Sequence, residues 1–324
     1  ASNERLQAAF SRMGVPVIDA ITINDDTAAW HASSLGIPLA ARALSLARQE
    51  LSGQIQPIIA ATTESVAPTG AAGYRVKYAS ESRVRRLVGR VKAWSRLQSL
   101  ANRDKKIALI YYNGHPGKNN IGASYLNVLP KSLTAILKRM DEAKYDLGGQ
   151  APDSGAVFDD VMNGGRNIGT WAPAELDRLV RERHPVLVPV ETYKKWFGQL
   201  HPAFQKQVIK KWGEPEDSKI MTWRAPEGKI YFVLPQIAYG NIKLMPQPAR
   251  GWDEDAQALY HDVSLPPHHQ YVAFYLYLQK GMPADAVIHL GTHGTQEWLS
   301  GREVGFDDDD APELDRREDA AQRC

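Results

Sequence analysis

The sequence predicts an α/β protein of more than one domain, built on open, mostly parallel sheets flanked by helices. Three observations carry that expectation. Short apolar runs alternate with amphipathic stretches over short connections, the pattern of parallel strands covered by helices. Lys106-Ile-Ala-Leu-Ile-Tyr-Tyr112 is a near-continuous apolar run that leads through Asn113 to Gly122 into a helix-forming stretch from Ala123 onward. The run Ala286-Val287-Ile288 leads in the same way into His289 and a segment broken by Gly291 and Gly294; buried strands read as such runs. A chain of 324 residues can bury more than one core. Three segments are expected: 1–103, 104–245 and 246–324.

In the first segment, residues 4–13 place Leu6, Ala9, Phe10 and Met13 on one helical face. Val15 to Ile21 is a buried-strand candidate. Asp25-Asp26-Thr27 opens a helix toward Trp30, and Ala40 to Leu51 forms a third. His31 reads as a surface or packing residue. Ile55 to Ile59 is a strand candidate, and Thr62 to Tyr74, with Pro68, Gly70 and Gly73, reads as loop. Ser82 to Ala101 is a long basic amphipathic helix. Val84, Leu87, Val88, Val91, Trp94 and Leu97 are expected on one face, with Arg83, Arg85, Arg86, Arg90, Lys92 and Arg96 mostly on the other. The charged face is expected to be solvated. The sharper alternative is a docking face for an acidic partner or for substrate carboxylates. Nucleic acid comes third, because no aromatic residues interleave the charge.

In the second segment, strand, Gly-containing loop and helix suggest a cradle for an anionic group at a helix N-terminus. A Walker A loop is excluded. It would need Gly where Tyr112 stands and Ser or Thr where Asn119 stands. Asp153 to Thr170 reads as a loop or a helix with exposed ends. Pro173 to Arg183, Tyr193 to Phe197 and Phe204 to Trp212 read as helical, and Val186 to Val190 as a short strand. His184 and His201 each precede proline and are read as structural. Lys229 to Val233 and Ile242 to Met245 are strands, with a turn at Tyr239-Gly240-Asn241.

The third segment holds most of the chemistry. Five of the nine histidines lie between 261 and 293. Gln247 and Arg250 flank Pro248, and His261-Asp262 follows. His268 and His269 come after Pro266-Pro267, and Gln270 to Leu278 is a helix with aromatic residues at 271, 274, 275 and 277. Those rings suit a core, or the apolar wall of a site for a flat ligand. His289, His293 and Glu297 are spaced His-x3-His-x3-Glu at a strand-to-loop junction, where α/β folds open their ligand crevice. Two imidazoles and a carboxylate can ligate a divalent first-row metal or pass protons near neutral pH. The spacing matches neither His-Glu-x-x-His nor a Cys/His zinc framework. Asp307 to Asp310 is expected to be a solvated acidic run.

Whole-chain properties narrow the classes. A net charge of +2 gives no strong attraction to nucleic acid or anionic membrane. The one cysteine, Cys324, excludes an internal disulfide framework and fits a reducing, cytoplasmic setting. No apolar run reaches the length of a membrane-spanning helix.

The string His289-Leu-Gly-Thr-His-Gly-Thr-Gln-Glu-Trp-Leu-Ser-Gly-Arg302 resembles the signature of the large subunits of aerobic cobaltochelatase and magnesium chelatase. Gln247-Pro-Ala-Arg-Gly251, Tyr260-His-Asp262, Leu265 to Tyr275 and Asn113 to Leu133 resemble the same family in the same order. Gln296 stands where Leu is common, which points to the cobaltochelatase branch. Ser300 and Arg302 depart from a usual Leu-Pro-Gly-Lys. The resemblance implies a large tetrapyrrole-binding subunit that inserts Co2+ into hydrogenobyrinic acid a,c-diamide in cobalamin biosynthesis. ATP and Mg2+ would be used by separate AAA+-type ATPase partners, in keeping with the missing P-loop. His289, His293 and Glu297 would handle metal and protons. Gln247, Arg250, His261 and His269 would contact substrate. Family members are much longer, so the chain is expected to be an internal piece of one. The alternatives are the porphyrin-binding subunit of magnesium chelatase, a non-catalytic tetrapyrrole- or metal-binding protein, and a plain metal-dependent hydrolase.

Overall fold

The computed structural model describes residues 2–67, 73–113, 116–118, 121, 129–249, 264–291, 299–315 and 321–322. The chain opens with α1 (Ser2–Met13), β1 (Ile18–Thr22), α2 (Thr27–Ala32), α3 (Leu39–Arg42) and α4 (Arg48–Leu51), the last two joined by a π-turn over Ala43–Ala47. Asp26 caps α2, its carboxylate accepting from the Ala29 N–H. β2 (Ile55–Val66), β3 (Tyr74–Ala79) and α5 (Glu81–Ser99) follow. β1 and β2 run parallel, and β3 closes this sheet antiparallel to β2.

The expected loop from Thr62 to Tyr74 is strand as far as Val66. β-Branched Thr62 and Thr63 suit extended backbone, and both hydroxyls find partners there. Thr63 Oγ1 donates to the Ile23 carbonyl at 2.6 Å, and Thr62 Oγ1 lies 2.8 Å from Thr27 Oγ1.

The central sheet comprises β4 (Ile107–Tyr111), β8 (Ile237–Tyr239), β9 (Ile242–Pro246), β10 (Ala286–Leu290) and β11 (Ala321–Gln322), in the order β11-β10-β4-β9-β8. All neighbours are parallel except the β8–β9 hairpin, which turns at the expected Tyr239-Gly240-Asn241. Strand alternation divides the core. Ile107, Leu109 and Tyr111 share one face with Ile242, Leu244 and Ala286. They pack against α5, α6 (Leu129–Glu142) and α7 (Ser154–Gly164). Ala108, Ile110, Met245 and Val287 share the other face. They pack against α9 (Val190–Phe197), α10 (Pro202–Trp212) and α11 (His269–Leu276). Every residue of α11 is buried, as an apolar helix packed on all sides must be.

A third sheet, β5 (Val186–Pro189), β7 (Ile230–Leu234) and β6 (Thr222–Arg224), is wholly antiparallel. Val233 on one face meets α8 (Pro173–Arg183), and Phe232 and Leu234 on the other meet α11. The protein is therefore α/β with three open sheets, two of mixed sense and one antiparallel. Parallel pairing dominates only in the central one. Asp153 to Thr170 contains the helix α7, capped by the Asp153 side chain on the Ala156 N–H. No described helix is long and apolar enough to cross a membrane.

Two expectations about charge are corrected. The Asp307–Asp310 run is paired and in part buried. Asp307 lies 2.9 Å from His31 Nε2, Asp308 meets Arg83 and Arg86, and Asp309 and Asp310 meet Arg302. The charged face of α5 is solvated only in part: Arg85, Lys92 and Arg96 are exposed. Arg83 and Arg90 are buried, and Glu313 accepts from Arg86 at 2.8 Å. Asp307 and Asp308 meet cations brought from the first segment, Asp309 and Asp310 meet Arg302 a few residues upstream, and ion pairing makes their burial tolerable.

Candidate functional site

The carboxyl ends of β10, β4 and β9 lie side by side in register, with His289 opposite Ile110 and Ile110 opposite Met245. Each strand delivers one polar group to that edge. β10 ends with His289 on the α11 face, its ring stacked on Tyr275 with centroids 6.4 Å apart and planes 18° from parallel. β4 runs on to Asn113, which is fully buried. β9 runs on to Gln247, whose N–H donates to the Tyr111 carbonyl at 2.8 Å. The Tyr275 hydroxyl donates to Gln247 Oε1 at 2.9 Å. One aromatic residue of α11 therefore braces both His289 and Gln247.

Asn167, three residues beyond the end of α7, locks this edge. Its N–H donates to Asn113 Oδ1 at 2.7 Å, and its Nδ2 donates to the carbonyls of Asn113 and Gln247 at 3.1 and 2.7 Å. Because carbonyls only accept, the Asn167 amide can be oriented one way only. The chain reaches this position through Gly165, where any Cβ would overlap the Tyr111 hydroxyl. Sequence reasoning missed Asn167; the neighbouring Gly164-Gly165 pair was its only signal.

Two buried polar atoms here have no hydrogen-bond partner among the described residues: Gln247 Nε2, a donor, and Asn167 Oδ1, an acceptor. An unmet buried group costs about 1–3 kcal/mol, so such atoms mark where a ligand would be held. A small cavity of ≈ 40 Å³ opens between Ile110, Tyr111, Tyr112, Gln247, His289, Leu290 and Gly291. That is room for one water-sized group.

Burial lowers the His289 imidazole to about 4. The ring is therefore neutral at physiological pH. The structure brings Gln247 and His289 to one cavity. His269 is held elsewhere: its Nδ1 accepts from the Tyr193 hydroxyl at 2.8 Å and its Nε2 donates to the Gly213 carbonyl at 2.9 Å. With both nitrogens engaged, His269 serves α11 as an internal brace. His293, Glu297, Arg250 and His261 lie outside the described residues.

His268 caps α11 by accepting from the Tyr271 N–H through Nδ1, and its Nε2 donates to the Ala249 carbonyl at 2.5 Å. Burial is the largest cause of the lowering of its imidazole, to about 3. His269 shifts in the same direction, also chiefly by burial. A histidine with a depressed folded pKa stabilises the fold fully above its unfolded value and loses that contribution as pH falls below it. Acidification from pH 6.5 to 5 is therefore expected to cost about 2 kcal/mol through His268 alone. Urea melts at the two pH values check this, and His268→Asn, which keeps a capping side chain, should shrink the difference. Equal stability at both pH values would refute it.

The far end of the site segment is clamped. Arg302 is buried and donates to Asp309 and Asp310 at 2.9 and 2.8 Å, to the Trp30 carbonyl at 3.3 Å and to the His31 carbonyl at 3.0 Å. Its guanidinium also lies over the Trp30 ring, 5.7 Å from the centroid. Gly301 has φ +138, and a Cβ there would collide with Asp310.

The family described as CobN/Magnesium Chelatase matches residues 1–315. The aerobic cobaltochelatase subunit CobN of Sinorhizobium sp is 27% identical over 318 residues, 96% of this chain and 23% of that protein. The chloroplastic magnesium-chelatase subunit ChlH of Oryza sativa subsp. indica is 28% identical over 303 residues, 93% of this chain and 20% of that protein. A solved structure, the catalytic subunit of cobaltochelatase from Mycobacterium tuberculosis, superposes with a TM-score of 0.76 at 26% identity, covering 95% of this chain and 25% of that one. The chain thus spans between 20 and 25% of the length of these relatives.

Proposed function

The chain belongs to the CobN/magnesium chelatase family, and on that premise we propose that it is the site-bearing part of the large subunit of an ATP-dependent cobaltochelatase. It would hold a corrin-type tetrapyrrole, hydrogenobyrinic acid a,c-diamide, while Co2+ replaces two ring N–H protons. The observation that carries this reading is the pairing of neutral His289 with Gln247 at one strand edge, both braced by Tyr275. Gln247 Nε2, which lines the cavity, supplies a donor for a polar substituent of the macrocycle.

Insertion needs two proton acceptors and a group that strips water from the metal. His289 begins the His-x3-His-x3-Glu run in which His293 and Glu297 follow at intervals of four. In this reading the imidazoles escort Co2+ or take protons, and Glu297 is base or further ligand. Arg250 and His261 orient substrate, Arg250 through its planar fork. ATP is hydrolysed with Mg2+ by AAA+-type partner subunits and not by this chain, which acts in the cytoplasm.

The magnesium-chelatase reading stands second, because the rice ChlH subunit is as similar as the Sinorhizobium CobN subunit. An absorbance and fluorescence titration of the complete large subunit with hydrogenobyrinic acid a,c-diamide and, separately, protoporphyrin IX divides them. Tighter binding of the corrinoid is the expected result. Preference for the porphyrin would move the assignment to magnesium chelatase, and binding of neither would sink both.

A further inference from the structure

Helix α5 is in part turned inside out for a surface helix: Ala93, Trp94 and Leu97 are buried in the ordinary way, but two arginines are buried with them and three valines are not. Its charged residues Arg83 and Arg90 are 1% and 4% exposed, while Val84, Val88 and Val91 are 36%, 45% and 53% exposed. The orientation is fixed by ion pairs and hydrogen bonds. Arg83 reaches Asp308 and Glu313 at 3.3 and 3.5 Å, Arg86 reaches Glu313 at 2.8 Å, and Arg90 donates to the Gln56 carbonyl at 3.3 Å. Rolling the valines inward would break these contacts and leave buried carboxylates without cations. The valines therefore stay outside, and only another surface can cover them.

Strand β3 beside it is exposed as well. Tyr74, Val76 and Tyr78 of β3 are 55%, 42% and 60% exposed. Their spacing of two puts them on one face. β3 pairs only with β2 among the described strands, so its outer edge is open. A groove of ≈ 570 Å³ begins at Ala79, the end of β3, and runs along α5 past Val84, Val88 and Lys92.

We infer that this face seats an amphipathic helix from the part of the large subunit outside these 324 residues. Three observations select that occupant. Intervals of four and three between Val84, Val88 and Val91 form the seam that a partner helix fills. Lys92 lines the groove and has no carboxylate partner among the described residues, so the helix should carry an acidic residue at that end. The chain spans only 20–25% of the relatives' length, and a subunit of that length has ample chain to supply the helix. The inference rests on family membership and is independent of which metal is inserted.

The test uses the complete large subunit carrying Val88→Cys, read by peptide-resolved mass spectrometry after brief maleimide exposure. Val88 is exposed here, so the substitution leaves the core untouched. A covered thiol should react at least about tenfold more slowly than in the denatured subunit, because thiol reactivity follows access. A rate close to the denatured one overturns the inference. A photoreactive residue at position 91 identifies the occupant. Adducts on an acidic amphipathic segment of the same large subunit, outside these 324 residues, support the proposal. Adducts only within them, or on an ATPase subunit, refute it.

Discussion

Glu297→Gln is expected to lower metal insertion by about 10²–10⁴-fold, the usual contribution of a positioned acid or base, while macrocycle binding stays unchanged. The substitution keeps side-chain volume and removes the negative charge and the basicity. Both proposed roles of Glu297, proton acceptor and metal ligand, need that charge. The split between turnover and binding decides the assignment: a residue that only packed the site would change both or neither. Insertion would be followed by the absorbance change of the macrocycle with Co2+ and the ATPase partners present, and binding by fluorescence quenching without metal. Unchanged turnover would remove Glu297 from the mechanism. Loss of binding alone would make it a substrate contact.

Arg302→Ala should cost about 3–5 kcal/mol of folding stability at neutral pH, the range for breaking a buried ion pair. The guanidinium joins two carboxylates to two backbone carbonyls. Burial pulls it down, but the bonds to Asp310 and Asp309 outweigh that and raise it overall. Burial pushes the Asp310 carboxyl up, and its hydrogen bonds and Arg302 only partly offset the rise. Without Arg302, Asp310 can escape the buried charge by taking a proton, so the loss should narrow as pH falls toward 5. Urea melts of wild type and variant at pH 7.5 and 5 test both statements. Arg302→Lys should recover only part of the loss, since one ammonium cannot reproduce the planar fork. A variant as stable as wild type would show that the clamp contributes nothing.

Much of the architecture around the strand ends was legible in the sequence. The apolar runs before Asn113 and His289 read as buried strands, and their parallel pairing agrees with the intervening helices. The helix after His268 was marked by its aromatic residues, and Tyr275 proved to be both core and site wall. The orientation of α5 was not legible. Periodicity shows which residues share a face, not which face turns inward. That choice depended on Asp308, 225 residues beyond Arg83. The acidic run misled in part for the same reason: Asp307 and Asp308 look solvated until His31, Arg83 and Arg86 arrive from the first segment. Asn167 was hidden because a lone asparagine after two glycines carries no pattern. Its role comes from two carbonyls at strand ends remote in sequence.

The central sheet also sets an order of assembly. β4 is its middle strand, yet one neighbour, β9, starts at Ile242 and the other, β10, at Ala286. During synthesis the apolar strand Ile107–Tyr111 emerges well before either partner, so both of its hydrogen-bonding edges must wait. Sheets closed by such distant pairings form slowly, and waiting edges invite association with other chains. The β1–β2–β3 sheet can pair meanwhile, because its strands lie close together in the chain. The polar edge of His289, Asn113 and Gln247 therefore cannot form before Leu290 has left the ribosome, and the waiting strand has reason to need a chaperone until then.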